Sequence, residues 1–132
     1  MAYILSEANN IMGIKEREFG TGNEIKFTAF TSCIGVVVIG NGGGGVTGVH
    51  LALTGVDGSN FGPAAAAAVL EKLPVHNTSI VMGQISYWKD GANGARAGYN
   101  ALVGGLAGMT EYQFADGVYG AMIDGGAIEI TY

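Results

Sequence analysis

The chain is poor in residues that staple or coordinate, with one cysteine, two histidines, two prolines and one tryptophan in 132 residues. A single cysteine cannot form an internal disulfide, and with two histidines it falls short of the Cys/His set of a structural zinc site. A reducing compartment is expected. Charge is also scarce: 13% of residues carry it and the net value is −5, so no basic surface can follow a phosphate backbone. That excludes nucleic acid as a partner. No run of about 18 apolar residues occurs, so no membrane span is expected. Residues 1–10 lack the basic start and long apolar stretch of a cleaved signal peptide. The expected location is the cytoplasm, or outside the producing cell by a route that needs no such signal.

Glycine is what the chain has in excess: 24 residues, about 18% against a usual value near 7%. The glycines keep no three-residue period, which excludes collagen, and 48% hydrophobic residues suffice for a core. The length suits one domain, residues 1–132. Residues 1–24 read as a polar lead-in, with Lys15-Glu16-Arg17-Glu18 expected to be a solvated turn or helix end carrying no chemistry. Ile25, Phe27 and Ala29 alternate with polar neighbours, the pattern of a half-buried strand. Ile34 to Ile39 is apolar throughout apart from Gly35, as in a strand covered on both faces. A turn at 41–45 leads to another strand over 46–54. A glycine-rich loop then reaches Pro63, well placed to open a helix that runs through Leu70 and stops at Pro74. Residues 80–87 read as a strand ending at Trp88, and 95–107 as a second helix. In the tail, Asp124-Gly125-Gly126 turns between strands at 119–123 and 127–130. The expected class is α/β in the broad sense, more closely α+β: a mixed, largely antiparallel sheet packed with two helices.

Asn41-Gly42 is the preferred dipeptide of a two-residue type I′ turn. A hairpin closed there sets opposite each other residues whose numbers add to 83, as those of Cys33 and His50 do. Facing residues of an antiparallel pair share a face, with α-carbons about 4.5–5.5 Å apart. Thiol and imidazole can then meet. A neighbouring histidine lowers a thiol's pKa and accepts its proton, so the pair is the minimum unit of a cysteine hydrolase. Cys33 would attack an amide carbonyl, and His50 would assist loss of ammonia or an amine and then hydrolysis of the thioester. Thr31 and Ser32 stand where a turn can aim backbone N–H groups at the oxyanion. The alternative is a non-catalytic binding or structural module in which Cys33 is a small buried hydrophobe. His76 is expected at the surface, while Gln84, Asp116 and Asp124 are further side chains able to orient a histidine. Trp88 reads equally as core or as part of a partner surface.

Thr31-Ser32-Cys33, an apolar strand, a turn and then Gly48-Val49-His50-Leu51 resemble the chemoreceptor glutamine deamidases (CheD) and the catalytic domains of cytotoxic necrotizing factor and related toxins. The resemblance covers chiefly residues 28–54. It implies a deamidase-type, papain-like Cys-His fold, with Cys33 as nucleophile and His50 as base acting on a glutamine side chain of a protein. A host switch protein, a translation factor or a chemoreceptor is the implied kind of partner, and a bacterial effector or toxin the implied setting. The chemistry calls for no cofactor and no metal. Transglutamination and proteolysis share the acyl-enzyme step and stay open. In this group a threonine six residues before the cysteine helps orient the histidine. Here that position is Phe27 with Thr28 one residue later, so Thr28 is the candidate third member, with a backbone carbonyl as the alternative.

Overall fold

A computed structural model describes residues 3–132. In chain order its elements are β1 (Ser6–Glu7), β2 (Glu18–Gly22), β3 (Glu24–Lys26), β4 (Ile34–Gly40), β5 (Val46–Leu51), α1 (Pro63–Lys72), β6 (His76–Gly83), α2 (Ile85–Lys89), a single 3-10 turn (Gly91–Asn93), α3 (Arg96–Gly104), β7 (Met109–Gln113), β8 (Gly120–Asp124) and β9 (Ala127–Thr131). The first sheet has the order β1-β2-β5-β4-β6-β7 and the second β3-β8-β9. Its two edge pairs, β1 with β2 and β6 with β7, are parallel, and the other pairs are antiparallel. The fold is thus α+β, the six-stranded sheet mixed and the three-stranded sheet antiparallel. Among the described residues no helix is long and apolar enough to cross a membrane.

The apolar run becomes β4, the strand flanked by β5 and β6 and buried along nearly its whole length. Successive side chains of a strand point to opposite faces, and β4 sorts its residues accordingly. Ile34, Val36 and Val38 join Val49, Leu51 and Val81 against the helices, where Phe61, Ala66, Val69, Trp88, Tyr99 and Leu102 complete one core. Cys33 and Val37 join Val46, Ile80 and Met82 on the other face, under Ile25, Phe27, Phe30 and Ala121 of the smaller sheet and its flanks. Helices cover one face of the large sheet. The small sheet covers the other.

Four expectations are corrected. The lead-in is structured: β2 pairs with β5, Glu18 lying opposite His50. The hairpin register adds to 85, Gly35 lying opposite His50 and Ile39 opposite Val46, because the connection is longer than two residues. Gly40 pairs with His76 and the Asn41 amide donates to the Val75 carbonyl at 2.8 Å, which draws the tip toward β6. Gly43, Gly44 and Gly45 then carry the chain back at φ between 84° and 91°, a region open to glycine. The strand predicted over 80–87 ends at Gly83, whose φ of 124° turns the chain, and residues 85–89 form α2. Finally, the strand predicted at 25–29 is short, running over Glu24–Lys26 with only an isolated bridge at Phe27. The tail hairpin turns at Gly125-Gly126, both at positive φ, between paired Asp124 and Ala127.

The helical glycines divide by what surrounds them. A β-carbon on Gly98 would stand 2.2 Å from the Phe61 carbonyl oxygen, whereas one on Gly104 would meet nothing within 4 Å. Gly98→Ala should therefore cost about 1–3 kcal/mol despite alanine's better helix propensity. Gly104→Ala should be neutral or stabilise by up to about 1 kcal/mol. Urea unfolding of both variants checks this, since propensity alone would make them move together.

Candidate active site

The shift of register from 83 to 85 is an even number of residues, so it leaves Cys33 and His50 on the same face, now as diagonal neighbours across Gly35. Gly35 has no side chain to separate them. A β-carbon there would lie 2.8 Å from the Phe27 ring and 3.0 Å from that of Phe30. Both rings descend beside the imidazole, with centroids 5.7 Å and 4.9 Å from it. Cys33 is 1% exposed and His50 0%.

The structure adds a third residue. Cys33 Sγ, a ring nitrogen of His50 and a carboxylate oxygen of Glu16 all lie within 4.8 Å of one another. The thiol donates to Glu16 Oε2 at 3.1 Å and lies 3.5 Å from the Thr31 carbonyl. Glu16 was expected to be solvated and without chemistry. Its side chain is 39% exposed, yet its carboxylate closes over the thiol. The lead-in is tied to the histidine strand at this point: the Arg17 amide donates to the His50 carbonyl at 2.7 Å, and its guanidinium to that of Thr54 at 3.0 Å.

His50 Nδ1 lies 2.9 Å from the Ile14 carbonyl oxygen, an acceptor, so Nδ1 carries the proton. Thr28 Oγ1 is at 3.4 Å from Nδ1 and at 3.4 Å from the same carbonyl. Thr28 therefore sits beside the histidine while the backbone carbonyl makes the shorter contact. Nε2 keeps a free lone pair: it is buried and has no hydrogen-bond partner among the described residues.

The turn before Cys33 is held at three points. Ser32, at φ 64°, donates its amide to Asp116 Oδ1 at 3.0 Å and accepts at its carbonyl from Trp88 Nε1 at 2.8 Å. The Cys33 carbonyl accepts from the Gln84 amide at 3.2 Å. With Ser32 N–H committed to Asp116, the amides of Thr31 and Cys33, which make no hydrogen bond among the described residues, are the free donors at this turn. Gln84 and Asp116 thus brace the turn, Gln84 Nε2 donating to Asp116 Oδ1 at 3.2 Å, and neither orients the histidine. Trp88 is fully buried core. His76 bonds to the Pro74 carbonyl and the Ala107 amide, engaged with the connections around β6.

Burial disfavours charge on both partners. It pushes the Cys33 thiol up to about 12, the hydrogen bond and negative charge of Glu16 adding to the effect, and it lowers His50 below the ordinary imidazole value. The resting pair is a neutral thiol beside a neutral imidazole rather than an ion pair. No family model, no curated protein and no solved structure matches this chain.

Two outcomes follow. Because Glu16 raises the thiol's pKa, Glu16→Gln should speed alkylation of Cys33 by iodoacetamide at about pH 8, roughly threefold or more; an unchanged rate would show that the carboxylate has no hold on the thiol. For His50 the folded pKa lies below the unfolded one, so the unfolded chain takes up the proton first. Its contribution to stability is complete above about pH 6.5 and is lost as pH falls below that value. The urea midpoint of the wild type should fall more between about pH 7.5 and 5.5 than that of His50→Gln, and equal falls would refute a histidine held neutral.

Proposed function

We propose that the protein is a cysteine hydrolase of amide bonds, acting as a deamidase on a glutamine side chain of a partner protein. The observation that carries this reading is the convergence of Cys33 Sγ, a His50 ring nitrogen and Glu16 within 4.8 Å, with Nε2 of the histidine left partnerless in the interior. A buried lone pair without a donor is unfavourable by itself, and such groups are rare in native structures. The Cys33 thiol, within 4.8 Å of a ring nitrogen, is the donor that could serve it once Glu16 releases the proton. The only non-glycine residues at positive φ among those described, Arg17 and Ser32, adjoin Glu16 and Cys33. Backbone strain of this kind gathers at functional sites.

In the proposed cycle the S–H proton passes from Cys33 to His50 Nε2 as sulfur bonds to the amide carbon. The oxyanion takes hydrogen bonds from the free Cys33 and Thr31 amides. His50 returns the proton to the departing ammonia, leaving a thioester. Water, deprotonated by His50, then attacks; the C–S bond breaks, Cys33 regains its proton and glutamate is released. Because the resting pair is neutral, His50 acts as a general base rather than as the cation of a preformed pair. Glu16 must give up its hydrogen bond to the thiol before attack.

The near-complete burial of Cys33 within an apolar cluster favours a second reading, a non-catalytic module with the thiol as core. Intact-mass analysis of candidate partner proteins separates the two. A gain of about 1 Da with the wild type, abolished by Cys33→Ser and reduced at least about a hundredfold by His50→Gln, establishes deamidation. A cleaved chain would assign proteolysis, and an added amine transglutamination. A gain that survives Cys33→Ser would overturn the proposal.

A further inference from the structure

We infer that Glu16, Cys33 and His50 form a binding site for a thiolate-seeking divalent cation of the zinc type. One sulfur, one imidazole nitrogen and one carboxylate oxygen are the donor set such ions prefer. At bond lengths of about 2.3 Å to sulfur and 2.0 Å to nitrogen or oxygen, tetrahedral ligands stand about 3.5 Å apart. The Sγ to Oε2 edge is 3.1 Å and the whole triangle lies within 4.8 Å, so each donor needs to move by about an ångström or less to close on an ion.

The independent pointer is His50 Nε2, fully buried, with a lone pair that no donor satisfies among the described residues. Its orientation is already set as in metal-bound histidines: the other ring nitrogen donates to a backbone carbonyl, here that of Ile14, which fixes the tautomer with Nε2 free. On binding, the Cys33 S–H proton leaves to solvent and sulfur, Nε2 and the carboxylate each donate an electron pair. A dication with a thiolate and a carboxylate gives a site of zero net charge, the form that burial tolerates. Glu16, partly exposed, is the side from which the ion enters, and water completes the fourth position.

The inference stands on the donor set and not on hydrolase activity. If the proposed function holds, one consequence rests on it: the metal ties up the sulfur nucleophile, so the ion-bound form is inactive.

Titration of the full chain with Co2+ reads the site directly, because thiolate ligation produces a sulfur-to-cobalt charge-transfer absorption in the near ultraviolet. The wild type should show it at one equivalent, and Zn2+ should displace it. Cys33→Ser should abolish it, while His50→Gln and Glu16→Gln should weaken binding about tenfold or more. Glu16 is at the surface, so its variant keeps the fold even if the histidine variant does not. His76→Gln should leave the titration unchanged. Absence of the band, its survival in Cys33→Ser, or its indifference to Glu16→Gln would overturn the site. A band with no deamidation by the metal-free protein would leave the metal site standing and remove the deamidase reading, and deamidation without a band would do the reverse.

Discussion

β4 is hydrogen-bonded to a neighbour on each edge and buried on both faces, so the layer to which each of its side chains belongs is decided by parity alone. Residues 34, 36 and 38 pack under the helices, and 33 and 37 under the small sheet. The site is a consequence of that sorting. Cys33 sits at the entrance to the strand on the small-sheet face, and His50 reaches the same face from β5. Two glycines on that face leave the small sheet room to approach: a β-carbon on Gly48 would stand 2.2 Å from the Ile25 side chain, and one on Gly35 would collide with Phe27. Part of the glycine excess therefore serves close contact between two sheets.

A site built inside a core inherits its low polarity. The environment favours the neutral form of each partner, which raises the thiol and lowers the imidazole. Glu16 is the one member of the cluster in contact with water, and its charge reinforces the protonated thiol. The turn bearing Cys33 is anchored by Asp116, Trp88 and Gln84, and the imidazole by the Ile14 carbonyl. The member least constrained by packing is thus the carboxylate. Any change of state at this site is expected to begin with Glu16.

The direct pairing of Cys33 with His50 does not form, but that the two share a face was legible in the sequence for a reason more robust than the turn type from which it was argued. The hairpin tip is longer than the Asn41-Gly42 dipeptide alone predicts, because Gly40 and Asn41 bond to the chain at β6. An error of one residue would have sent the histidine to the helix side, whereas an even difference preserved the face. The α+β class, the extent of α1 and the presence of α3 were legible from apolar periodicity and the proline at the start of α1, although α3 ends at Gly104 rather than at residue 107. Glu16 was not, because a mixed run of four charges is the ordinary pattern of a solvated segment. Its position depends on long-range bonds from Arg17 to the His50 and Thr54 carbonyls, which no local pattern encodes. Ile85 and Tyr87 continue the alternation of β6, but the positive φ at Gly83 bends the chain into a helix before them.

Arg17 and Ser32 adopt a backbone conformation that costs non-glycine residues of order 1–3 kcal/mol, and each is held there by bonds to other elements. A purely solvated lead-in would have no need of the first, nor a simple strand entrance of the second. Together they aim a carboxylate and a thiol at each other beside a histidine whose lone pair is free. The hydrolase and metal-binding readings use the same three groups and differ in what becomes of Glu16. Attack on an amide requires the carboxylate to release the thiol so that its proton can pass to Nε2. Coordination requires the carboxylate to stay and the proton to leave altogether. On these two proposals the position of one partly exposed side chain separates a nucleophile from a ligand, and the buried pair beneath it is common to both.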